Sequence, residues 1–141
     1  MQERRQIMTV SSAQTIAREF WESWGRGDLT TTWTDFVSDD IVIHPSSGYE
    51  FTRDSWLEAD QSLHDAFDDV HLDVLDQIAN GDMVATRWSV TGRQHSDFFG
   101  VPSSGKTATL TATVFDRVKD GKIIEHWAEV GVPQFLQQLS A

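Results

Sequence analysis

The strongest constraint in this chain is an alternation near its C-terminal end. Thr107, Thr109, Thr111 and Thr113 alternate with Ala108, Leu110, Ala112 and Val114. Period two with β-branched residues on one face specifies a half-buried strand. Asp120-Gly121 follows, a pair that accepts positive φ and closes a tight hairpin. Ile123 to Val130 reads as the returning strand. One of its faces carries Ile124, His126, Ala128 and Val130; the other carries Ile123, Glu125, Trp127 and Glu129. A long hairpin with one apolar face must bury it against another layer.

The preceding chain supplies that layer. Ser11 to Gln14 forms a capping-box pattern, and Ile16, Phe20 and Trp24 follow at helical spacing with Ala13 and Ala17 alongside. A second helix is predicted over about Thr30 to Val37. A third runs from Ser55 to about Phe67, with Asp54 as its N-cap and Trp56, Leu57, Leu63 and Phe67 inward. Ile41 to His44 and Tyr49 to Phe51 read as two short strands around Pro45 and a Ser46-Ser47-Gly48 turn. His71 to Ile78 and Met83 to Thr91 alternate on either side of Asn80-Gly81-Asp82, and Gly92 suggests a bend or bulge. Pro133 opens a short terminal helix. This order predicts an α+β fold: a cone-shaped, barrel-like curved antiparallel sheet with helices on the concave face. The expected layout is one domain over residues 1–141, with 1–10 as a flexible tail. A cone of this kind encloses an apolar cavity, the usual place for a small ligand.

A net charge of −11 repels phosphate backbones and anionic lipid, so neither nucleic acid nor a membrane is an expected partner. With no cysteine there is no disulfide or thiolate chemistry. No run approaches the ~18 apolar residues of a membrane span, and the expected location is cytoplasmic. His64, Asp65, His71 and Asp73 are metal-ligand types without a second spaced cluster, so no metal site is expected. Asp60, Asp65, Asp68 and Asp69 read as a solvated helix face and turn. Arg87 points outward by alternation, as a surface partner for Glu125. Gly100, Gly105, Lys106 and Thr107 have phosphate-loop spacing, but a strand follows where that loop needs a helix.

Four stretches carry a family resemblance. Asn80-Gly81-Asp82-Met83-Val84-Ala85-Thr86-Arg87-Trp88, Gly100-Val101-Pro102-Ser103-Ser104-Gly105-Lys106, Asp120-Gly121-Lys122-Ile123-Ile124-Glu125-His126-Trp127 and Leu136-Gln137-Gln138-Leu139 resemble the SnoaL-like polyketide cyclase family. The likeness runs from about Ile16 to Leu139. It implies the nuclear transport factor two-like fold, a cone-shaped pocket, a homodimer, and no metal or organic cofactor. It also implies ring closure of polyketide esters by intramolecular aldol condensation, with hydroxylases, isomerases, dehydratases and hydrolases among the relatives. Matched through Asp120-Gly121-Lys122-Ile123, the cyclases' catalytic Asp falls on Ala128. Their pocket His and Gln fall on Val114 and Ala112, and their pocket Asn on Ile43 or His44. Alanine cannot move a proton, so the resemblance implies the pocket without the family's usual acid–base group.

His126 is then the clearest titratable group on the pocket face, with His44 within reach of the same cavity. An imidazole can serve as acid or base near neutrality. Phe20, Trp24, Trp33, Trp88, Leu110, Ala112, Val114 and Ala128 are the expected substrate-binding residues. The functional reading is an enzyme that acts on a small apolar, oxygenated polyketide-type metabolite by acid–base chemistry: cyclisation, isomerisation, dehydration or cofactor-free hydroxylation. The alternative is a non-catalytic small-molecule-binding or accessory protein with the same pocket. A homodimer is expected through the outer sheet face, where Phe115 and Trp127 stand.

Overall fold

The computed structural model describes residues 11–46 and 48–140. The tail expected over residues 1–10, and Ser47 of the expected turn, lie outside them. Strand β1 is Val37–Ile43, β2 Phe67–Asn80, β3 Met83–Gln94, β4 Thr107–Lys119 and β5 Lys122–Val130. Helix α1 is Ser12–Gly25, α2 Leu29–Phe36, α3 Arg53–Ala66 and α4 Val132–Ser140. Asp120 (φ 52°) and Gly121 (φ 76°) are both left-handed, which makes the tight turn between β4 and β5 follow the twist of its strands.

The strands form one sheet in the order β1-β5-β4-β3-β2. The four long strands pair antiparallel, as expected. β1 pairs parallel with β5, Val37 opposite Ile123 and Ile43 opposite His126, so the sheet is mixed. β1 and β2 are its two free edges. The expected barrel is therefore corrected to an open sheet, whose concave side is closed by helices rather than by strand pairing. Tyr49 to Phe51 is not a strand: Tyr49 makes only an isolated bridge to Ser46, and the segment runs as a loop after Pro45.

Each helix is set by its own ends. Ser11 accepts from the Gln14 amide at the start of α1, and Asp28 caps α2. The N-cap of α3 is Thr52, not Asp54: Thr52 and Ser55 exchange side-chain and backbone hydrogen bonds in a capping box. Arg53 then donates to the carbonyls of Trp33, Val37 and Ser38, tying the start of α3 to the end of α2. α1 turns Ala13, Ala17, Phe20, Trp21 and Trp24 inward. Phe20, Trp21 and Trp33 are almost fully buried and pack on one another through Phe20, while Phe135 is buried against Phe67 and Phe98.

A bulge resets the parity of β5. Arg117 pairs with Glu125 and the next residue, Val118, pairs with Ile123, so Ile124 is the extra residue. Ile123 is fully buried in consequence, and Ile124, expected on the pocket face, is only half-buried. His126 keeps its inward direction.

Gly92 pairs with Ala108 on its β4 side, and on its β2 side it faces a bulge: Asp68 pairs with Arg93 and His71 with Thr91, so Asp69 and Val70 both oppose Gly92, where the sequence suggested a bend or bulge. Gly92 also permits close approach. A Cβ here would meet the Phe67 Cβ at 3.1 Å and its Cδ2 at 3.4 Å. Gly92→Ala is expected to cost about 1–3 kcal/mol through overpacking. Urea denaturation reads this directly, and an unchanged midpoint would show that Phe67 yields freely.

Candidate active site

An apolar cavity lies between the concave sheet face and the helices α1, α3 and α4. β4 contributes Leu110 and Val114, β3 Trp88, and β5 His126, Ala128 and Val130. α1 contributes Trp21 and Trp24, and α3 contributes Trp56, Asp60 and Leu63. His44, Ser46, Tyr49 and Phe51 follow the end of β1, and Phe98 and Phe99 follow β3. The mouth is aromatic: Tyr49 and Phe99 are 43% and 46% exposed with ring centroids 6.2 Å apart. Phe98–Val101 is a tight turn with Phe99 at φ 48° and Gly100 at φ 76°. Fully buried Gln94 pins that loop, donating to the Ser96 and Val101 carbonyls and accepting from the Ser104 amide and hydroxyl.

His126 is 4% exposed and its Nδ1–H donates to Oδ1 of Asp116 at 2.5 Å. Asp116 is fully buried, and its Oδ2 accepts the Trp21 indole NH at 3.3 Å. The imidazole lies against Trp56, centroids 4.3 Å apart and planes 21° apart. Its Nε2 has no hydrogen-bond partner among the described residues. The carboxylate thus fixes the tautomer and orientation of a ring whose free nitrogen belongs to the cavity.

Asp60 stands one helical turn beyond Trp56 and lines the same space. It was expected on a solvated face; it is instead half-buried, with Oδ2 accepting the Trp24 indole NH at 2.9 Å. Burial pushes its carboxyl up to about 6, against the Trp24 bond, the charge of His126 and the Trp56 indole, which all hold it down. The fold therefore favours the protonated form. Stability from this group is fully present below about pH 4 and is lost as pH rises through about 6. Two units correspond to at most about 3 kcal/mol. Asp60→Asn should remove that loss, so the variant is expected to gain stability over the native protein at pH 8 and little at pH 4. Paired denaturation curves at the two pH values test this, and equal differences would refute it.

His44 lines the rim. Its Nε2 is 2.7 Å from Oε2 of Glu125, and its ring stacks on Trp127 at 4.5 Å with planes 4° apart. Glu125 also accepts from Arg117 at 3.2 Å, and these bonds, His44 first, hold its carboxyl below the usual range. Arg87, expected as the partner of Glu125, pairs with Asp76 across β2–β3 instead.

Of the expected pocket residues, His126, His44, Trp24, Trp88, Leu110, Val114 and Ala128 line one cavity. Phe20 and Trp33 do not: they sit in the core behind it, Trp33 packed on Trp56 at 4.6 Å. Ala112 does not either, because it lies in register between Trp88 and Val130 and presents only a methyl group. Asp60, Asp116 and Trp21 were missed, yet the two carboxylates had a signal. Asp116 continues the inward alternation Leu110, Ala112, Val114, and Asp60 lies between Trp56 and Leu63 on the buried helix face. His64 bonds the Trp24 carbonyl at 2.9 Å, and His71 pairs with Asp73 on the surface. Among the described residues no three His, Asp or Glu side chains converge as metal ligands, and no helix is long and apolar enough to cross a membrane.

A curved open sheet, roofed by helices over an apolar cavity holding an imidazole–carboxylate pair, defines a small α+β pocket protein of the nuclear transport factor two-like class. The model of the SnoaL-like polyketide cyclases matches residues 13–139, and the chain belongs to that family. AclR from Streptomyces galilaeus, a "putative hydroxylase", is 27% identical with a TM-score of 0.83, over 94% of this chain and 98% of AclR. IdmH from Streptomyces antibioticus, a "putative polyketide cyclase", is 30% identical with a TM-score of 0.78, over 92% of this chain and 99% of IdmH. TsrD from Streptomyces laurentii shares the fold at 21% identity and a TM-score of 0.79, over 94% and 99% of the two chains. A search of curated proteins found no match.

Proposed function

We propose that the protein is an acid–base enzyme that moves protons at a carbonyl group of an apolar polyketide-type metabolite. The observation that carries this reading is the buried Asp116–His126 pair, with Nε2 left free toward a largely apolar cavity. A donor fixed in a water-poor site stabilises charge developing on an oxygen far better than the same group in water. Family membership and the hydroxylase- and cyclase-named neighbours support an enzyme role. Cyclisation, isomerisation and cofactor-free hydroxylation each begin by making an enol or enolate, which this arrangement favours.

The test uses 2-tetralone, a flat apolar ketone with acidic α-protons. Binding is read by quenching of the cavity tryptophans and catalysis by loss of α-proton signal in D₂O. Exchange well above the buffer rate is expected at pH 7. Binding without exchange would overturn the enzyme reading in favour of a ligand-binding protein, and no binding would overturn the substrate class.

A further inference from the structure

The cavity has two walls, and chemistry has so far been assigned to only one. β5 brings His126, and next on its inward face is Ala128, a methyl group. Facing it, α3 brings a carboxylate. Trp56 stacks on the His126 ring, and Asp60, at i+4, is the next residue on that helix face. The backbone of α3 is anchored by the Thr52–Ser55 capping box and the three Arg53 bonds. The side chain is held by the Trp24 indole NH, which engages Oδ2, and the Trp56 indole also steadies the carboxylate. Among the described residues Oδ1 has no hydrogen bond to occupy it. The groups around Asp60 are few. α1 offers the Trp24 NH, α3 the Trp56 indole, β5 presents the charge of His126, and β4 places Asp116 behind His126. His64 on α3 turns away to the Trp24 carbonyl.

Resting on the reading of the cavity as a proton-transfer site, we propose that Asp60 is its second catalytic residue: the base that removes a proton from the carbon next to the carbonyl, while His126 protonates the carbonyl oxygen. The C–H electron pair becomes the new C=C bond and the proton goes to the Asp60 carboxylate. The C=O π pair takes the Nε2 proton of His126, giving a neutral enol, protonated Asp60 and neutral imidazole. Return of the Asp60 proton, to the same carbon or to one conjugated with it, and of the enol proton to Nε2 restores both groups. No oxidant, metal or cofactor enters this balance. A carboxyl held up by burial is a stronger base than a surface aspartate and remains largely ionised at neutral pH. The geometry therefore narrows the substrate to a ketone or β-dicarbonyl whose acidic carbon faces α3 and whose oxygen faces β5.

Two measurements test the role. The first is ¹³C NMR of aspartate carboxyls from pH 4 to 8, with Asp60 assigned by the signal missing in Asp60→Asn. Its midpoint is expected near 6, and higher in His126→Asn, where the neighbouring positive charge is gone. Titration together with the surface aspartates would overturn the proposal without any substrate. The second is α-proton exchange of 2-tetralone, expected to fall roughly 10²–10⁴-fold in Asp60→Asn. Exchange by the native protein that is undiminished in Asp60→Asn overturns the role of Asp60 alone. Binding without exchange by the native protein overturns the proton-transfer reading of the cavity, and this role with it.

Discussion

His126→Asn is expected to slow α-proton exchange of 2-tetralone by roughly 10²–10⁴-fold while the protein stays folded. Asparagine places an amide NH near the position of Nδ1, so the bond to Asp116 can be kept. What it lacks is a proton-donating group at the position of Nε2. A loss confined to the maximal rate, with little change in tryptophan quenching by the ketone, is the signature of a proton-transfer group. Equal loss of binding and rate would instead mark His126 as a contact that holds substrate and reaction state alike.

Asp116→Ala is expected to destabilise the protein by about 3–5 kcal/mol, the usual cost of breaking a buried charge-assisted pair from one side. The carboxylate is fully buried and serves two donors, His126 Nδ1 and Trp21 Nε1. Its removal leaves both without an acceptor in an apolar interior. The converse change, His126→Ala, strands a buried carboxylate with only an indole NH. Each single change therefore includes the penalty of orphaning the other partner. The double variant should cost less than the sum by more than about 1 kcal/mol. Urea denaturation of the four proteins at pH 7 closes the cycle. Additive losses would show that the two residues contribute separately.

Most of the sheet was legible because its signals are local. The Thr107–Val114 alternation and the Asp120-Gly121 turn specify β4 and β5 without reference to anything distant. The parallel pairing of β1 was not legible, because it depends on α2 delivering Val37 beside Ile123. Asp60 and Asp116 were hidden by residue type, not by position. Both fall on faces that periodicity marks as buried, but carboxylates are seldom buried, and that prior outweighed the spacing. Phe20 and Trp33 show the reverse limit. Periodicity places them inward but cannot say whether an inward ring meets a cavity or another ring. The aromatic mouth at Tyr49 and Phe99 sits on loops, where no repeat exists to be read.

The extra residue at Ile124 has an evolutionary corollary. Deleting this one codon would leave Ile123 opposite Val118 and Glu125 opposite Arg117 in a regular ladder, so His126 and Ala128 would keep facing the cavity. Side chains alternate with a period of two, so ironing the bulge out with Ile124 retained would do the opposite: Glu125, Trp127 and Glu129 would turn inward in place of His126 and Ala128 if the turn at Asp120-Gly121 held its place. Homologous scaffolds can thus differ in length at this point without a change of chemistry, whereas a one-residue slip in pairing would exchange an imidazole wall for a carboxylate wall with the sequence length unchanged.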